Sequence, residues 1–315
     1  MTEHNLQGTN INLVKAHNLR AVLLSLLFES SLSRIQLAQK TSLSATTITN
    51  LVDELHAQGV ICDSGESSMV GRRVGRPRAG LRLVDDSRYA VGVQLRVGIF
   101  RVGITNLTGR LIDSVEVEFS SDPPAREVIT KIGESINALI AHSGIERSKI
   151  VGVGFGATGL INYHTGVNIL AANFGWKDVP IYEWLVEQLE LPVVVDNNVR
   201  CMALGEAFFG VGRGVNSLAF IYARYGIGAG IVVNGRLYRG SGLGAGEIGH
   251  TIILPHNGAL CRCGQRGCLE TLAAEPSLIR QAEQLAREHP GSILASCMAD
   301  GSVPRPIKRL FNAYR

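Results

Sequence analysis

Gly246-Glu247-Ile248-Gly249-His250 is followed, after ten residues, by Cys261-Arg262-Cys263-Gly264-Gln265-Arg266-Gly267-Cys268-Leu269-Glu270. Together they form the stretch of this 315-residue chain richest in chemistry. His250, Cys261, Cys263 and Cys268 offer one imidazole and three thiolates. By ligand type that is a closed tetrahedral zinc site, and four protein donors leave no position for water, so the ion's role is structural. His256 lies inside the gap and is an alternative fourth ligand. Thiols that hold no metal are the plainer reading. The other cysteines, Cys62, Cys201 and Cys297, lie far apart. That spacing fits a reducing compartment better than a disulfide framework.

Upstream of this stretch the pattern is α/β. Tyr89–Leu95 and Ile99–Thr105 alternate as strands, Thr108-Gly109 is a turn, and Leu111–Phe119 is a third strand. A helix is predicted over Ala125–His142, with Val128, Ile129, Ile132, Ile136 and Leu139 on one face. Ile150–Phe155 is a continuous apolar run suited to a buried strand. Pro192–Val195, Leu218–Tyr222 and Ile227–Val233 read as strands, Ile181–Leu189 and Val199–Phe209 as helices. Strands followed by alternating helices and strands, and then a second such set, imply a two-lobed α/β body.

The first eighty or so residues read differently. Leu19, Val22, Leu23, Leu26 and Leu27 recur at helical spacing within a helix over 13–28. Ser33 and Gln36 have capping-box spacing at the head of a second helix, whose apolar positions are Ile35, Leu37 and Ala38. After Thr41-Ser42-Leu43, Ser44 caps a third helix that runs to about Ala57 and stops at Gly59; Ile48, Leu51, Val52 and Leu55 are its buried stripe. Two short helices about a tight turn make a helix-turn-helix. Ser44, Ala45, Thr46, Thr47, Thr49 and Asn50 are its outward residues, small or amide-bearing and suited to close entry into a major groove. Val60-Ile61-Cys62, a turn through Gly65, Glu66 and Ser67, and a returning strand Leu81-Arg82-Leu83 describe a wing. Between Gly71 and Leu83 stand Arg72, Arg73, Arg76, Arg78 and Arg82 with no acidic residue. The net charge of +4 by itself predicts no nucleic-acid partner, but arginines on the extended Gly75-Arg76-Pro77-Arg78 segment suit a narrow A·T-rich minor groove. No apolar run is read as approaching the roughly 18 residues of a membrane span, and no signal peptide is read, so the expected compartment is the cytoplasm, with no membrane partner.

The chain resembles the ROK family (repressors, open reading frames, sugar kinases), in its winged-helix transcriptional repressor branch. Val14-Lys15-x-x-Asn18, Leu32–Ala38, Ser42-Leu43-Ser44 (serine in place of the usual glycine), Gly75-Arg76-Pro77 and the 246–270 stretch carry the resemblance, over roughly residues 11–275. It implies an N-terminal winged helix-turn-helix (1–83) and a two-lobed actin-like, ribonuclease H-like sugar-kinase fold (lobes 88–196 and 197–315). It implies structural zinc on His250 and the three cysteines, although the gap from His250 to Cys261 looks one residue longer than usual. It implies sugar contacts at Glu247, His250 and Glu270, at Asn197 and Asn198 (the family's Asn-Asp pair), and at Gly159 and Asn173. His250 would then give one ring nitrogen to zinc and the other to sugar.

The resemblance also implies what is missing. Gln94-Leu95-Arg96-Val97-Gly98 stands where a kinase of this family has its Asp-x-Gly-Gly-Thr phosphate loop. Asn198 stands where the general base should be, and an amide takes no proton at neutral pH. Arg224-Tyr225-Gly226 stands where Gly-Thr-Gly is usual. The expectation is therefore a non-enzyme: a homodimeric repressor of carbohydrate-metabolism genes, bound to double-stranded operator DNA and released by a sugar or sugar-phosphate effector that alters lobe closure. The alternative is an ATP-dependent hexose kinase with an appended DNA-binding domain. The residues from Pro304 to Arg309 do not resemble the family's C-terminal region, so a shortened, incomplete second lobe is expected.

Overall fold

The computed structural model describes residues 10–67, 79–120, 124–303 and 306–313. The chain begins with α1 (Ile11–Phe28), α2 (Arg34–Thr41) and α3 (Ala45–Ala57), then β1 (Ile61–Ser67) and β2 (Ala79–Leu83). Each helix start has a local cause. Asn10 accepts from the Asn12 amide, Ser33 and Gln36 complete a reciprocal capping box, and Ser44 accepts from the Thr47 amide. Val22, Leu26, Leu37, Ile48, Leu51, Val52 and Leu55 close into one core with Leu32, Val60, Ile61, Leu81 and Leu83. The strands pair antiparallel, Ile61 with Leu83 and Cys62 with Arg82, and a bridge between Leu32 and Leu81 ties them to the helices. Three helices and an antiparallel pair of strands thus share one core.

Three expectations here need correcting. Ile35 is exposed, because α2 spends only Leu37 and Ala38 on the core. Gly65, Glu66 and Ser67 belong to strand β1 and are not a turn. Helix α1 is, by length and composition, apolar enough to cross a membrane; its buried residues Val22 and Leu26 belong to the core shared with α2, α3, β1 and β2. Arg72, Arg73, Arg76 and Arg78 lie outside the described residues.

The turn between α2 and α3 is strained in a testable way. Ser42 is exposed and left-handed, with φ of 56°. A non-glycine residue there costs roughly 1–2 kcal/mol. Glycine removes that strain but loosens the unfolded chain. Ser42→Gly should stabilise the turn by about 0.5–1 kcal/mol, seen as roughly 2–5-fold slower hydrogen exchange of α2 and α3 amides. Unchanged or faster exchange would contradict the strained turn.

The remainder is mixed α/β. Strands β3 (Tyr89–Arg96), β4 (Ile99–Asn106), β5 (Leu111–Glu118), β6 (Ile150–Ala157) and β10 (Val193–Asn197) form a sheet in the order β10-β6-β3-β4-β5. Helix α4 (Ala125–Ser143) buries Val128, Ile129, Ile132, Ile136 and Leu139, as its periodicity predicts. Strand β6 is not buried on both faces along its first half: Val151 is 57% exposed and Gly154 is exposed, while the strand's last three residues are buried.

A small antiparallel sheet of β7 (Leu160–Asn162), β8 (Val167–Ala171) and β9 (Trp176–Val179) was not anticipated; α5 (Ile181–Leu189) follows. Helix α6 (Asn198–Phe209) leads to β11 (Ser217–Ala223), β12 (Ile227–Val233) and β13 (Arg236–Leu237), an antiparallel sheet of three strands. Ala203, Ala207 and Val232 form the centre of their packing, with Leu204, Leu218, Phe220 and Leu237 around them. A Cβ on Gly230 would lie 2.5 Å from Ala203 Cβ, so only glycine lets the strand and helix approach this closely. Helices α7 (Leu269–Ala273), α8 (Glu275–Glu288), α9 (Ile293–Ala299) and α10 (Pro306–Ala313) end the described chain.

The chain divides into two compact units. One holds Met1–Gly92, Gly103–Val115 and Ile136–Val153, the other Val93–Val102, Glu116–Ser135 and Gly154–Arg315. Helices α1 to α3 and strands β1 and β2 lie in the first. The site described next lies wholly in the second.

Candidate functional site

A knuckle and a cavity make up the site. In the knuckle, the Cys261 amide donates to Gln265 O at 2.7 Å and the Gly264 amide to Cys261 O at 2.9 Å, curling the chain around Cys263. Bridges from Leu260 to Arg266 and from Ile252 to Cys268 close the loop. Gly267 has φ of 74°, and a Cβ there would meet Leu254 O at 1.8 Å, so no other residue fits.

This fold brings His250, Cys261, Cys263 and Cys268 together, with their ligand atoms all within 4.8 Å of one another. His256 is not in the cluster. Cys261 Sγ lies 3.6 Å from His250 Nδ1, and Cys263 Sγ lies 3.7 Å from Cys268 Sγ. A tetrahedral ion with zinc's bond lengths needs edges of about 3.6 Å between nitrogen and sulfur and about 3.8 Å between sulfurs. The donor set and its spacing therefore fit a tetrahedral metal. Burial pushes the Cys268 thiol up to about 12 and raises that of Cys261. A cation among these sulfurs would reverse that and hold them as thiolates.

His250 joins the knuckle to the cavity. Its Nδ1 faces the sulfurs, and its Nε2 lies 3.9 Å from Glu247 Oε2. Glu247 caps a 3₁₀ turn, Ile248–His250, of which His250 is the last residue, and the chain enters it through Gly246. Gly246 has φ of 91°, and a Cβ there would run into Ala229 O at 1.9 Å. Burial raises the Glu247 carboxyl above the usual range, against the pull of His250 and Arg200.

The cavity holds about 380 Å³, within the range of small-ligand sites. Gly159, Asn173, Asn197, Asn198, Glu247, His250 and Glu270 all border it. They reach it from separate elements, and several are already committed. Asn197 caps α6, accepting from the Val199 amide at 2.8 Å and the Arg200 amide at 3.3 Å, and donates Nδ2 to Gly159 O at 2.9 Å. Asn198 is buried and donates Nδ2 to Thr158 Oγ1 at 3.3 Å. Glu270 Oε2 accepts from the Ile227 amide at 3.1 Å. Asn173 Oδ1 is buried and has no hydrogen-bond partner among the described residues, so it is a ready acceptor aimed at nothing in the protein.

Of the three positions where kinase residues are absent, Asn198 and Tyr225 border the cavity. Gln94 does not, and its Nε2 lies 3.5 Å from Met202 Sδ. The residues that follow it, Arg96 and Val97, border the cavity in its place.

The sequence reading missed a buried ionic network behind the wall. Asp196 receives Arg200 Nη1 at 3.2 Å and Arg239 Nη2 at 2.7 Å. Arg200 also donates to the carbonyls of Leu243 and Ala245, just before Gly246-Glu247. Arg239 lies over the Tyr163 ring at 4.3 Å. The four-residue spacing of Asp196, at the end of β10, and Arg200, in the first turn of α6, was a visible signal; Arg239 and the two carbonyls were not, because they arrive through tertiary structure.

Fold and site define a mixed α/β protein with a cavity, bordered by asparagines and carboxylates among apolar residues, beside a His-Cys₃ knuckle. The ROK family profile matches residues 91–302, and the chain belongs to that family. It is 35% identical over 208 residues (66% of this chain, 63% of that protein) to a glucokinase of Halalkalibacterium halodurans. It is 29% identical over 279 residues (89% and 69%) to a xylose repressor of Caldicellulosiruptor bescii. The fold matches, with TM-score 0.75 and 24% identity, the crystal structure of a ROK family transcriptional regulator homologous to the E. coli MLC protein, over 95% of this chain and 78% of that one. The chain thus spans 63% and 69% of the lengths of those two curated relatives.

Proposed function

We propose that this chain is a sugar-responsive, DNA-binding transcriptional repressor whose cavity binds a sugar without phosphorylating it. The observation that carries the reading is the company Asn198 keeps. A cavity bordered by Glu247, Glu270, His250 and asparagines suits vicinal hydroxyls. Asn198, where proton abstraction would be needed, is an amide with its Nδ2 engaged by Thr158. The similarity to the xylose repressor leaves at most 36 residues of this chain outside it, so it must take in α3. The domain plan proposed is a winged helix-turn-helix over 1–83 and two lobes over 88–196 and 197–315, in the cytoplasm, with zinc as the knuckle's ion.

In this reading the recognition helix is α3. Ser44, Ala45, Thr46, Thr49 and Asn50 are exposed, and Thr47 is half-buried, sharing a hydrogen bond with Ser44. Arg72, Arg73, Arg76 and Arg78 would follow the minor groove. Two copies would read an inverted repeat with half-sites about 34 Å apart or a multiple of that. Sugar and DNA would oppose each other with a coupling of about 1–3 kcal/mol.

Selection from a random duplex library at moderate salt is expected to enrich an inverted repeat. On that duplex, Asn50→Ala should cost about 1–3 kcal/mol of specific binding and leave the salt slope unchanged. No enrichment by a protein shown to be folded would defeat the repressor reading. The similarity to a glucokinase favours a second reading, a sugar kinase carrying a DNA-binding domain. A coupled assay with ATP and a panel of hexoses and pentoses decides between them: sugar-dependent turnover would establish the kinase.

A further inference from the structure

We propose that Arg262 is a specificity-determining residue: on the sugar-binding reading above, it and Glu270 select a ligand by two adjacent ring hydroxyls, Arg262 donating to one oxygen and Glu270 accepting from the other. Arg262 stands between the first two cysteines of the knuckle, and Glu270 is the second residue after the last. The amide bonds from Cys261 to Gln265 O and from Gly264 to Cys261 O fix the backbone on either side of Arg262. Each of the two residues lies within two positions of a member of the His-Cys₃ cluster, so an ion held there would stiffen both at once. A side chain that leaves a rigid base loses less freedom when it binds.

Both side chains border the cavity. Arg262 Nη2 donates to Tyr225 O at 3.3 Å and lies 3.7 Å from Glu270 Oε1. The second separation is too long for a hydrogen bond, so the two groups balance each other's charge without satisfying each other. Glu270 Oε2 is taken by the Ile227 amide at 3.1 Å. Glycine at 226 permits this, because a Cβ there would lie 2.8 Å from that oxygen. Glu270 Oε1 accepts no hydrogen bond among the described residues, and its side chain is only 14% exposed, so little water reaches it. The Arg262 guanidinium has further N–H donors beyond the one given to Tyr225. A pure acceptor and a pure donor therefore stand side by side at the cavity. An anionic ligand would meet Glu270 and a cationic one would meet Arg262. Hydroxyls both donate and accept, so two neighbouring ones serve the carboxylate and the guanidinium together.

The test is calorimetric titration of the zinc-loaded full chain with D-glucose, D-xylose and the epimers of each at every ring hydroxyl, followed by the monodeoxy forms of the tightest binder. Removing either of two adjacent hydroxyls is expected to weaken binding about tenfold or more. In Arg262→Met the penalty at one of the two should shrink to about twofold or less, while the penalty at its neighbour, read by Glu270, persists. Arg262→Lys keeps a donor and should restore part of the lost discrimination. Zinc content and thermal unfolding of the ligand-free variants are compared with those of the parent, and neither should change, since the Arg262 side chain is half-exposed. An arginine that merely props the knuckle would lower the affinity for every sugar alike. Penalties that shrink together in Arg262→Met, or that do not shrink at all, would overturn the specificity role and leave the sugar reading standing. A tightest binder with no adjacent pair of sensitive hydroxyls would do the same. Binding of no sugar would overturn both.

Discussion

Cys268→Ser is expected to strip the knuckle of its metal and to weaken ligand binding in the cavity by about 10–100-fold. Cys268 is fully buried, with its sulfur 3.7 Å from that of Cys263. A hydroxyl there is a poor ligand and an unpaired polar group, so three donors remain where four are needed. The effect reaches the cavity through His250. Its Nδ1 belongs to the knuckle and its Nε2 faces Glu247, so losing the ion frees the ring to rotate away from both. Chelation of the parent protein should reproduce the loss, and zinc should restore it; metal analysis should give one equivalent before chelation and none in the variant.

The pH dependence has a definite sign. Without metal, the Cys268 thiol, raised to about 12, and that of Cys261, also raised, both hold protons at neutral pH. Metal binding expels them, so acid favours the empty knuckle and affinity falls as pH falls. Ligand binding that survives complete removal of metal would show that the ion does not position His250.

Arg200→Ala is expected to destabilise the protein by about 3–5 kcal/mol, because it leaves Asp196 buried with one of its two cations gone. The carbonyls of Leu243 and Ala245 lose their donor in the same stroke, and the Gly246-Glu247 turn lies immediately beyond. Arg200→Lys keeps the charge but offers a point donor instead of a fork, and should fall between. In the double variant Asp196→Asn with Arg200→Met, part of the loss should be recovered, since no buried carboxylate is stranded, although Arg239 loses its anion and the two carbonyls their donor. Urea unfolding of the four proteins measures this. A cost below about 1 kcal/mol for Arg200→Ala would mean that Asp196 is solvated in solution and the network is not holding the cavity wall.

Much of the N-terminal architecture was legible because its signals are local. The Ser33–Gln36 capping box, the Ser44 cap and the α3 stripe of Ile48, Leu51, Val52 and Leu55 each depend on residues one or two turns apart. Helix α4 and strand β12 were legible for the same reason. The four clustered residues could be named from residue type alone, and their gathering followed from a loop that Gly264 and Gly267 allow to curl.

Other features are invisible to periodicity. The β7–β9 strands are three to five residues long, too short to show a period, and they exist because each is paired with the next. Ile35 and Val151 look like core residues by type, but exposure depends on what packs over a face, which the chain's local pattern does not record. By itself, then, the sequence determined the three N-terminal helices, the α/β alternation, the family and the four residues that cluster in the knuckle. Only the tertiary structure decided that seven scattered residues border one cavity and that Asp196 holds Arg200 and Arg239. Those facts are distances between atoms far apart in the chain, and packing, not local propensity, sets them.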